Sequence, residues 1–164
     1  MAIDATISGA TADSYVTLAE YQAYGAAMGW TLGADDAADE INLRRGAVHI
    51  DTGYQHQGIR TTSTQARAYP RVMGIRVDGW SVSSETIPQN IKDAQCEAAY
   101  AIQAGADPLA TVEAPISRET ETVGPLSTTI EYIGGKTTTT ITAVSRLLSP
   151  YLTGGPGQVK LVRA

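Results

Sequence analysis

The sequence predicts a mainly α-helical fold, in which a small helical bundle carries a β-hairpin arm and a C-terminal strand. Apolar residues recur at helical spacing in three segments before residue 106. Two short runs of alternating residues follow residue 115, and threonine becomes frequent there. With 164 residues, of which 43% are hydrophobic, the chain is long enough for one folded domain with its own core.

The first helix is expected to begin at Thr17. Thr17 and Glu20 match a capping box, in which the hydroxyl and the carboxylate each satisfy a free backbone amide of the first turn. Tyr21 then lies on the face that can pack inward, and Gly29 marks the end of the helix. Residues 1–12 are mostly small, and we expect them to form a flexible leader.

A second helix is expected between about residue 37 and residue 52. Asp35 or Asp36 can cap it, and acidic side chains in its first turn match the positive end of the helix dipole. Its apolar side chains fall on two separate faces, one with Leu43, Ala47, Ile50 and Tyr54 and the other with Ile41 and Val48. A helix with two apolar faces is expected to pack between neighbours.

Residues 53–86 are expected to be irregular, with short strands at 71–77 and 80–82 on either side of a turn at Asp78-Gly79. A third helix is expected to open at Ile87-Pro88, because proline near a helix start lacks only an amide that has no helical partner. This helix carries apolar residues at helical spacing and ends at Gly105.

The composition changes near Pro115. Residues 116–123 and 126–133 are expected to pair as a β-hairpin, which has few large apolar side chains and would depend on another chain for stability. A short helix is expected at 141–148 and a strand at 158–163. We therefore predict a helical core domain at 1–114, an extended hairpin arm at 115–140, and a short helix with a C-terminal strand or tail at 141–164.

Charge is distributed unevenly along the chain, whose formal net charge is −5. Residues 1–40 contain seven acidic residues and no lysine or arginine, whereas arginines gather between Arg44 and Arg76. Tight binding to DNA requires clustered positive charge, because contacts to phosphate supply most of the affinity. The acidic balance argues against tight DNA binding by the chain as a whole, and the basic middle leaves a local patch open.

Aromatic residues and arginines alternate between Tyr54 and Trp80, a composition that could stack the bases of single-stranded DNA. The alternative is that Tyr69 and Trp80 anchor an irregular loop onto the helices. The acidic composition favours the anchoring role.

The motifs that come nearest to catalytic ones are incomplete. Gly135-Lys136-Thr137 resembles the end of a phosphate-binding loop, but Ile130 stands where that loop needs its first glycine. Cys96 has no histidine positioned beside it, and we expect it to be a packing residue.

Metal binding and membrane insertion are not indicated either. His49 and His56 lack a third ligand at diagnostic spacing. The longest apolar stretches, such as 98–102, are too short to span a bilayer, and we expect no secretory signal. A single cysteine cannot form an internal disulfide and suits a reducing cytoplasm. We expect a protein that is not an enzyme and that uses no cofactor, metal or membrane.

A set of short motifs extends along most of the chain. The motifs are Ser14-Tyr15-Val16, Leu43-Arg44-Arg45 with Asp51 and Tyr54, Gln65, Tyr69-Pro70-Arg71, Asp78-Gly79, the helix from Ile87-Pro88 to Ala99, and Val123-Gly124-Pro125. This set resembles a family of tailed-phage proteins, the small head-to-tail adaptors, also called head completion or neck proteins. The aromatic residue before the proline is often tryptophan in these relatives and is Tyr69 here. Some relatives carry a DnaT-like single-stranded-DNA-binding label.

The resemblance implies a structural adaptor subunit located in the virion neck, with assembly in the host cytoplasm. By resemblance, about twelve copies form a ring beneath the portal protein, contact a tail or stopper protein, and let DNA pass without specific binding. The alternative is a single-stranded-DNA-binding accessory protein that uses the arginines from Arg60 to Arg76 together with Tyr69 and Trp80.

Two sets of candidate residues follow from these expectations. The polar hairpin would need a partner chain, and the C-terminal strand could add to the sheet edge of another chain. The partner-binding candidates are Arg118, Glu119, Glu121, Thr128, Glu131, Val159, Lys160, Leu161, Val162 and Arg163. An acidic lumen would repel DNA and keep it from sticking during passage, and the residues expected to face such a channel are Asp35, Asp36 and Asp39.

Overall fold

The computed structural model describes residues 2–33, 35–112, 116–122, 127–132, 137–138 and 140–153. The chain divides into two compact units. The larger unit comprises Met1–Ala106 with Ile141–Ala164, and the smaller is Asp107–Thr140. The prediction of a mainly α-helical fold with small β-hairpins is confirmed, while the strand expected at 158–163 lies outside the described residues.

Four α-helices and one 3₁₀ turn make up the regular helical structure of the described residues. They are α1 at Leu18–Met28, α2 at Asp36–Gly53, α3 at Gln89–Gln103, α4 at Thr142–Leu148, and the 3₁₀ turn at Ser149–Tyr151. These bounds confirm the four predicted helices. Within the same residues, no helix is both long and apolar enough to cross a membrane.

Two short antiparallel ladders lie between α2 and α3. Strand β1 at Ile59–Arg60 pairs with β2 at Arg71–Val72, and β3 at Arg76–Val77 pairs with β4 at Trp80–Ser81. The predicted Asp78-Gly79 turn connects β3 to β4, with φ angles of 53° and 85°. Glycine adopts such angles without steric cost, which suits it to the second position.

Local capping fixes where α1 and α2 begin. Thr17 Oγ1 accepts a hydrogen bond from the Glu20 amide at 3.2 Å, and the Thr17 amide donates to Glu20 Oε2 at 2.7 Å. The Asp35 carboxylate accepts from the Ala37 amide at 3.0 Å. The predicted capping box and the predicted acidic cap are thus confirmed, and each such cap typically contributes about 1 kcal/mol.

A glycine and a glutamine mark the crossing of α2 and α3. A Cβ atom at Gly46 would lie 3.2 Å from the Gln95 carbonyl oxygen, so glycine lets the two helices approach closely. The buried Gln95 side chain donates to the Leu43 carbonyl at 2.8 Å and to Ser14 Oγ at 2.7 Å. Its Oε1 accepts from the Tyr15 amide at 2.8 Å. One buried side chain therefore ties the segment before α1 to both helices.

Two hydrophobic clusters fill the core of the larger unit. The first includes Tyr15, Ile50, Tyr69, Ile91, Val144, Leu148 and Tyr151. The second consists of Val16, Tyr21, Leu43, Cys96 and Ala99. Ile50 near the end of α2 shares a cluster with Ile91 near the start of α3, so the two helices run antiparallel. Because α4 and the 3₁₀ turn supply three members of the first cluster, they are part of the helical core.

The expectation of a flexible leader is wrong for the described part of residues 1–12. The Asp4 carbonyl accepts from the Asp13 and Ser14 amides at 2.8 and 3.1 Å, which folds the leader back on itself. The Gly9 carbonyl accepts from the Ala66 amide at 3.0 Å. The bond between Gly9 and Ala66, which no local pattern predicts, fastens the leader to the segment between α2 and α3.

The smaller unit contains two antiparallel strand pairs. The pairs are β6 at Ile116–Thr122 with β7 at Ser127–Tyr132, and β5 at Thr111–Val112 with β8 at Thr137–Thr138. The predicted hairpin is therefore confirmed. Its register is shifted between Ile116 and Arg118, and regular pairing runs from Arg118 opposite Glu131 to Thr122 opposite Ser127.

Candidate functional site

A buried polar network holds the segment between α2 and α3 against the core. The Tyr15 hydroxyl donates to the carboxylate of Asp51 in the last turns of α2. The Ala68 amide donates to the Tyr15 hydroxyl oxygen at 3.1 Å and to Asp51 Oδ1 at 3.3 Å. Arg67 pairs with Asp51 Oδ2 at an N–O distance of 3.3 Å. Burial raises the pKa of Asp51, and its hydrogen bonds and the Arg67 charge oppose that rise without cancelling it.

Gln65 supports the backbone of the same segment. Its Nε2 donates to the carbonyls of Arg67 and Pro70 at 2.9 and 3.0 Å, and its Oε1 accepts from the Thr62 amide at 3.0 Å. The buried Gln65 amide thus supplies the hydrogen-bond partners that this irregular stretch would otherwise lack.

Arg71 also supports the backbone of this segment. Its guanidinium donates to the carbonyls of Gln57, Gly58 and Ala68 at 2.7, 2.6 and 3.3 Å. A guanidinium with three backbone acceptors is committed to the fold. The DNA-binding alternative included Arg71 among the arginines that contact DNA. In the structure, its guanidinium instead binds backbone carbonyls of the loop.

Tyr69 is buried within the first hydrophobic cluster. Its ring packs edge-on against Tyr15 and Tyr151, with ring centroids 6.1 and 6.4 Å apart. His56 Nδ1 lies 3.0 Å from the Tyr69 hydroxyl, and burial lowers the pKa of His56. Tyr69 therefore anchors the loop, as one of the two expectations held, and the proposal that it stacks on DNA bases is wrong because its ring is enclosed.

Several other side chains of this segment are exposed, and some of them are apolar. Trp80 is 81% exposed, so the expectation that it anchors the loop is wrong. Ile59 and Val72 are cross-strand partners in β1 and β2 and are 71% and 49% exposed. Arg60 and Arg76 are exposed as well. We call these exposed residues, Ile59, Arg60, Val72, Arg76 and Trp80, the outer surface. The name refers to their exposure alone, because Arg60 and Arg76 lie on the opposite ladder faces from Ile59 and Trp80.

The two ladders that carry the outer surface are joined to each other. Thr61, directly after β1, donates from Oγ1 to the Ser84 carbonyl at 2.7 Å. The Val82 amide, directly after β4, donates to the Ile75 carbonyl at 3.2 Å. The first bond joins the two ladders, and the second extends the β3–β4 ladder, so the outer surface stands on a supported backbone.

The predicted acidic surface divides between exposed and buried residues. Asp35 and Asp36 are exposed at the start of α2, but Asp39 is only 1% exposed, which corrects its expected position on a channel-facing surface. The reason is helical spacing, because Asp39 lies four residues before the buried Leu43 and shares its face. Burial raises the pKa of Asp39, and the charges of Asp36 and Asp35 add to that rise.

Cys96 is a core residue, and the two histidines lie within α2 and after its end. Cys96 belongs to the second cluster, and burial raises its pKa to about 12, so the thiol stays protonated at neutral pH. His49 lies within α2 and His56 beyond its end. Among the described residues, no three His, Cys, Asp or Glu side chains are grouped in a way that could hold a metal ion.

The partner-binding candidates fall into two groups. Five lie in the β6–β7 hairpin, where Arg118 pairs with Glu131, Glu119 with Ile130, and Glu121 with Thr128. The other five, Val159, Lys160, Leu161, Val162 and Arg163, lie outside the described residues. For all ten, the binding role stays a prediction.

A family model described as "Putative DnaT-like ssDNA binding protein" matches residues 1–164 of the chain. The chain belongs to this family. Comparison with curated proteins and with solved structures gave no match. Membership in the DnaT-like family agrees with the label that some relatives of the resembled adaptors carry.

The motif residues of this DnaT-like family member mostly face inward. Tyr15, Asp51, Gln65, Tyr69 and Arg71 all took part in the resemblance, and each is engaged in the contacts that hold the loop. The outer surface, in contrast, was only partly anticipated. Ile59 and Val72 were missed, and no sequence signal separates an exposed two-residue strand from a buried one.

Proposed function

We propose that this protein is a non-catalytic structural adaptor that forms a ring between the portal and the tail of a tailed phage. The observation that supports this most is the hairpin, which lies in a compact unit of its own, Asp107–Thr140. The proposal extends to location in the virion neck, assembly in the host cytoplasm, and passage of DNA without specific binding.

The hairpin has the features of a binding arm. Strands β6 and β7 have seven and six residues and form a two-stranded sheet. An isolated two-stranded sheet is marginally stable in water, and each of its strands has one edge of unpaired backbone groups. A partner strand can pair with such an edge, and the portal protein, a tail or stopper protein, or a neighbouring copy could supply it.

The experiment that tests the proposal is negative-stain microscopy of the portal protein from the same genome, mixed with this protein. The matched variant replaces residues 113–136 with a two-residue Asn-Gly turn. Val112 and Thr137 are cross-strand partners, so a tight turn can join them. Truncation near Pro115 would be a poor variant, because it would also remove Val144 and Leu148 from the core.

The full-length protein is expected to add a ring layer to the portal, and the turn variant is expected to leave the portal bare while keeping its helical circular dichroism. A second variant exchanges the charges at two cross-strand positions, Arg118→Glu with Glu131→Arg, and is expected to weaken the layer if these positions meet the partner. A bare portal with the full-length protein would reject portal docking. A complete ring with the turn variant would reject the arm.

The second candidate function is single-stranded-DNA binding, for which the supporting observation is the exposed Trp80, in the same segment as the exposed Arg60 and Arg76. Stacking on one exposed indole with two cations would give weak, salt-dependent binding. Anisotropy of labelled oligothymidylate should then fall with Trp80→Ser, and Arg76→Ala should lower the salt slope by about 1. Arg67→Ala and Arg71→Ala are unsuitable variants, because those arginines support the fold.

A further inference from the structure

Strand β7 has one edge that pairs with β6 and a second edge that pairs with no other strand of the described residues. The ladder with β6 occupies the first edge from Ser127 to Tyr132, and the sheet contains only these two strands in the part of the chain that the structure describes. The backbone amides and carbonyls along the second edge can pair with a further strand. We call it the open edge of β7.

The chain after the 3₁₀ turn has a sequence that suits such an edge. The Thr153 amide donates to the Gln55 carbonyl at 2.8 Å, so the backbone is held on the larger unit as far as Thr153. Residues 154–157 are three glycines and a proline, a composition typical of a linker. The C-terminal segment, residues 158–163, follows with a largely alternating and β-branched pattern that predicts a strand.

One antiparallel register matches the C-terminal segment to β7 position by position. It gives two apolar pairs, one pair of opposite charge and one pair of β-branched residues. These pairs are Leu161 with Ile130, Val159 with Tyr132, Lys160 with Glu131, and Val162 with Thr129. Cross-strand pairs of these kinds stabilise a sheet.

Other arrangements match less well. A slip of one residue along β7 brings Leu161 opposite Glu131 or Thr129, because it moves the apolar positions of the segment to the other face of the sheet. Strand β6 is polar at every position after Ile116, so at least one of Val159 and Leu161 would meet a polar residue in any register along it. The sequence therefore favours the open edge of β7 in the antiparallel register.

The net charges of the hairpin strands and of the C-terminal segment are opposite. Strands β6 and β7 contain three glutamates and one arginine. The C-terminal segment contains Lys160 and Arg163 and no acidic residue. A strand with two positive charges therefore suits this hairpin better than an acidic strand would.

We propose that the C-terminal segment of one copy adds as a third strand to the open edge of β7 in a second copy. The edge and the segment are different elements of one chain, so the contact is heterologous and can propagate into a ring. The inference rests on the proposed adaptor function and names a neighbouring copy as the partner of the hairpin. A segment from the same chain would complete the sheet without linking copies, so the proposed ring requires the segment of a neighbour.

The experiment is disulfide cross-linking of full-length chains. One chain carries Thr129→Cys and the other Val162→Cys, at positions that the register places opposite each other with Cβ atoms about 5 Å apart. The chains are mixed in equal amounts at high protein concentration and oxidised in a glutathione buffer. Thr128→Cys replaces Thr129→Cys in the matched control, because the adjacent position lies on the other face of the sheet. The native Cys96 is buried and its pKa is raised, so it should stay unreacted.

The 129–162 disulfide is expected to form with about tenfold higher yield than the 128–162 disulfide, because pairing raises the effective concentration of the two facing thiols. Equal yields of the two products would overturn the proposal.

A pair of charge variants in the Val162→Cys chain tests the register. Leu161→Glu should remove the enrichment, since it places a carboxylate opposite Ile130, whose partner in β6 is Glu119. Gln158→Glu adds the same charge at a position beyond the end of β7 in this register and should leave the enrichment unchanged. An enrichment that survives Leu161→Glu, or that is lost equally in both variants, would overturn the proposed pairing.

A chain that carries both Thr129→Cys and Val162→Cys tests which copy supplies the segment. At high dilution this chain is expected to form no intrachain disulfide, whereas at high concentration it should form disulfide-linked oligomers. An intrachain disulfide at high dilution would overturn the proposal, because the segment would then complete the sheet of its own chain.

This test separates the contact from the proposed function. Cross-linking is carried out without the portal, whereas portal decoration is observed by microscopy. A decorated portal without the 129–162 product would reject the contact and leave the adaptor function standing. The 129–162 product with a bare portal would support the contact and reject portal docking.

Discussion

The segment between α2 and α3 has an inner and an outer side, and the two sides use the same kinds of residue for different purposes. On the inner side, Tyr69 and Arg71 bind core rings and backbone carbonyls. On the outer side, Trp80 and Arg76 are exposed to solvent. An aromatic residue and an arginine therefore appear on both sides, and only their contacts distinguish support of the fold from availability for binding.

This difference bears on what the family resemblance means. Its motif residues in this segment, such as Gln65 and Arg71, satisfy backbone groups of a loop that has little regular structure. In this chain, those motif residues therefore hold the loop in place. Binding partners have to be inferred from the outer surface and the hairpin, on which the motifs say little.

The largest expected effect comes from Gly58→Ala, because Gly58 lies directly against the backbone at the end of β2. Gly58 has a φ of 70°, and a Cβ atom there would meet the Val72 carbonyl oxygen and the Met73 Cα. The backbone must move, and we expect a loss of about 3 kcal/mol or more in the free energy of unfolding. Gly74→Ala is the matched control, with a φ of 63° and open space around it, and should cost about 1 kcal/mol. Urea denaturation measures the loss of unfolding free energy in both variants. Equal losses would contradict the close backbone contact at Gly58.

The next effect concerns Asp51, the centre of the inner network. Asp51→Ala removes the partner of the Tyr15 hydroxyl and the Ala68 amide and leaves Arg67 without its ion pair. Because both charged side chains are partly solvated, we expect a loss of about 2 kcal/mol, below the range for a fully buried pair. Glu85→Ala, an exposed acid in the same segment, should change stability by less than about 0.5 kcal/mol. An unchanged free energy of unfolding for Asp51→Ala in chemical denaturation would show that the network does not hold the loop.

Asp39 extends the comparison to the start of α2, where Asp36 is exposed and Asp39 buried. A carboxyl whose pKa is higher in the folded than in the unfolded state binds its proton more tightly when folded, so it lowers stability as the pH rises above about 4. Asp39→Asn removes this loss. Its stability relative to the wild type should increase between pH 4 and pH 7 in urea titrations, with Asp36→Asn as the control for removing one acid from the first turn. A relative stability that is flat or falls with pH would contradict the burial of a charged Asp39.

The last expected effect concerns the reactivity of the Cys96 thiol and involves no change in stability. Its buried thiol, with a pKa of about 12, should react with a neutral-pH thiol reagent only when the core opens. The rate should be slower by on the order of a hundredfold or more than that of an exposed thiol introduced by Ser81→Cys. Comparable rates for the two thiols would show that the second cluster is open to solvent.

Local signals predicted a large part of the fold. The capping box at Thr17, the acidic cap at Asp35 and the Asp78-Gly79 turn each depend on residues within a few positions of one another, and all three are present. The hairpin was likewise predicted from alternation around a turn and is formed by β6 and β7.

Long-range contacts account for the features of the fold that the sequence did not predict. Ser14 meets Gln95 across 81 positions, and Tyr15 meets Asp51 across 36. No periodicity encodes such contacts, so the folded leader and the inward arginines were not anticipated. The burial of Asp39 had a usable signal, because its spacing to Leu43 places both residues on one helical face. The exposure of Trp80 had none, since aromatic residues are usually expected to pack.

The most direct measurement compares Arg71→Ala with Arg76→Ala by urea denaturation. The substitutions are chemically identical and remove the same charge from the same segment. Arg71 loses three hydrogen bonds to backbone carbonyls, so we expect its variant to lose about 2 kcal/mol of unfolding free energy. Arg76 is exposed in β3, and its variant should change stability by less than about 0.5 kcal/mol. Equal losses, or a larger loss for Arg76→Ala, would contradict the division between an inner side that holds the fold and an outer side that is free to bind.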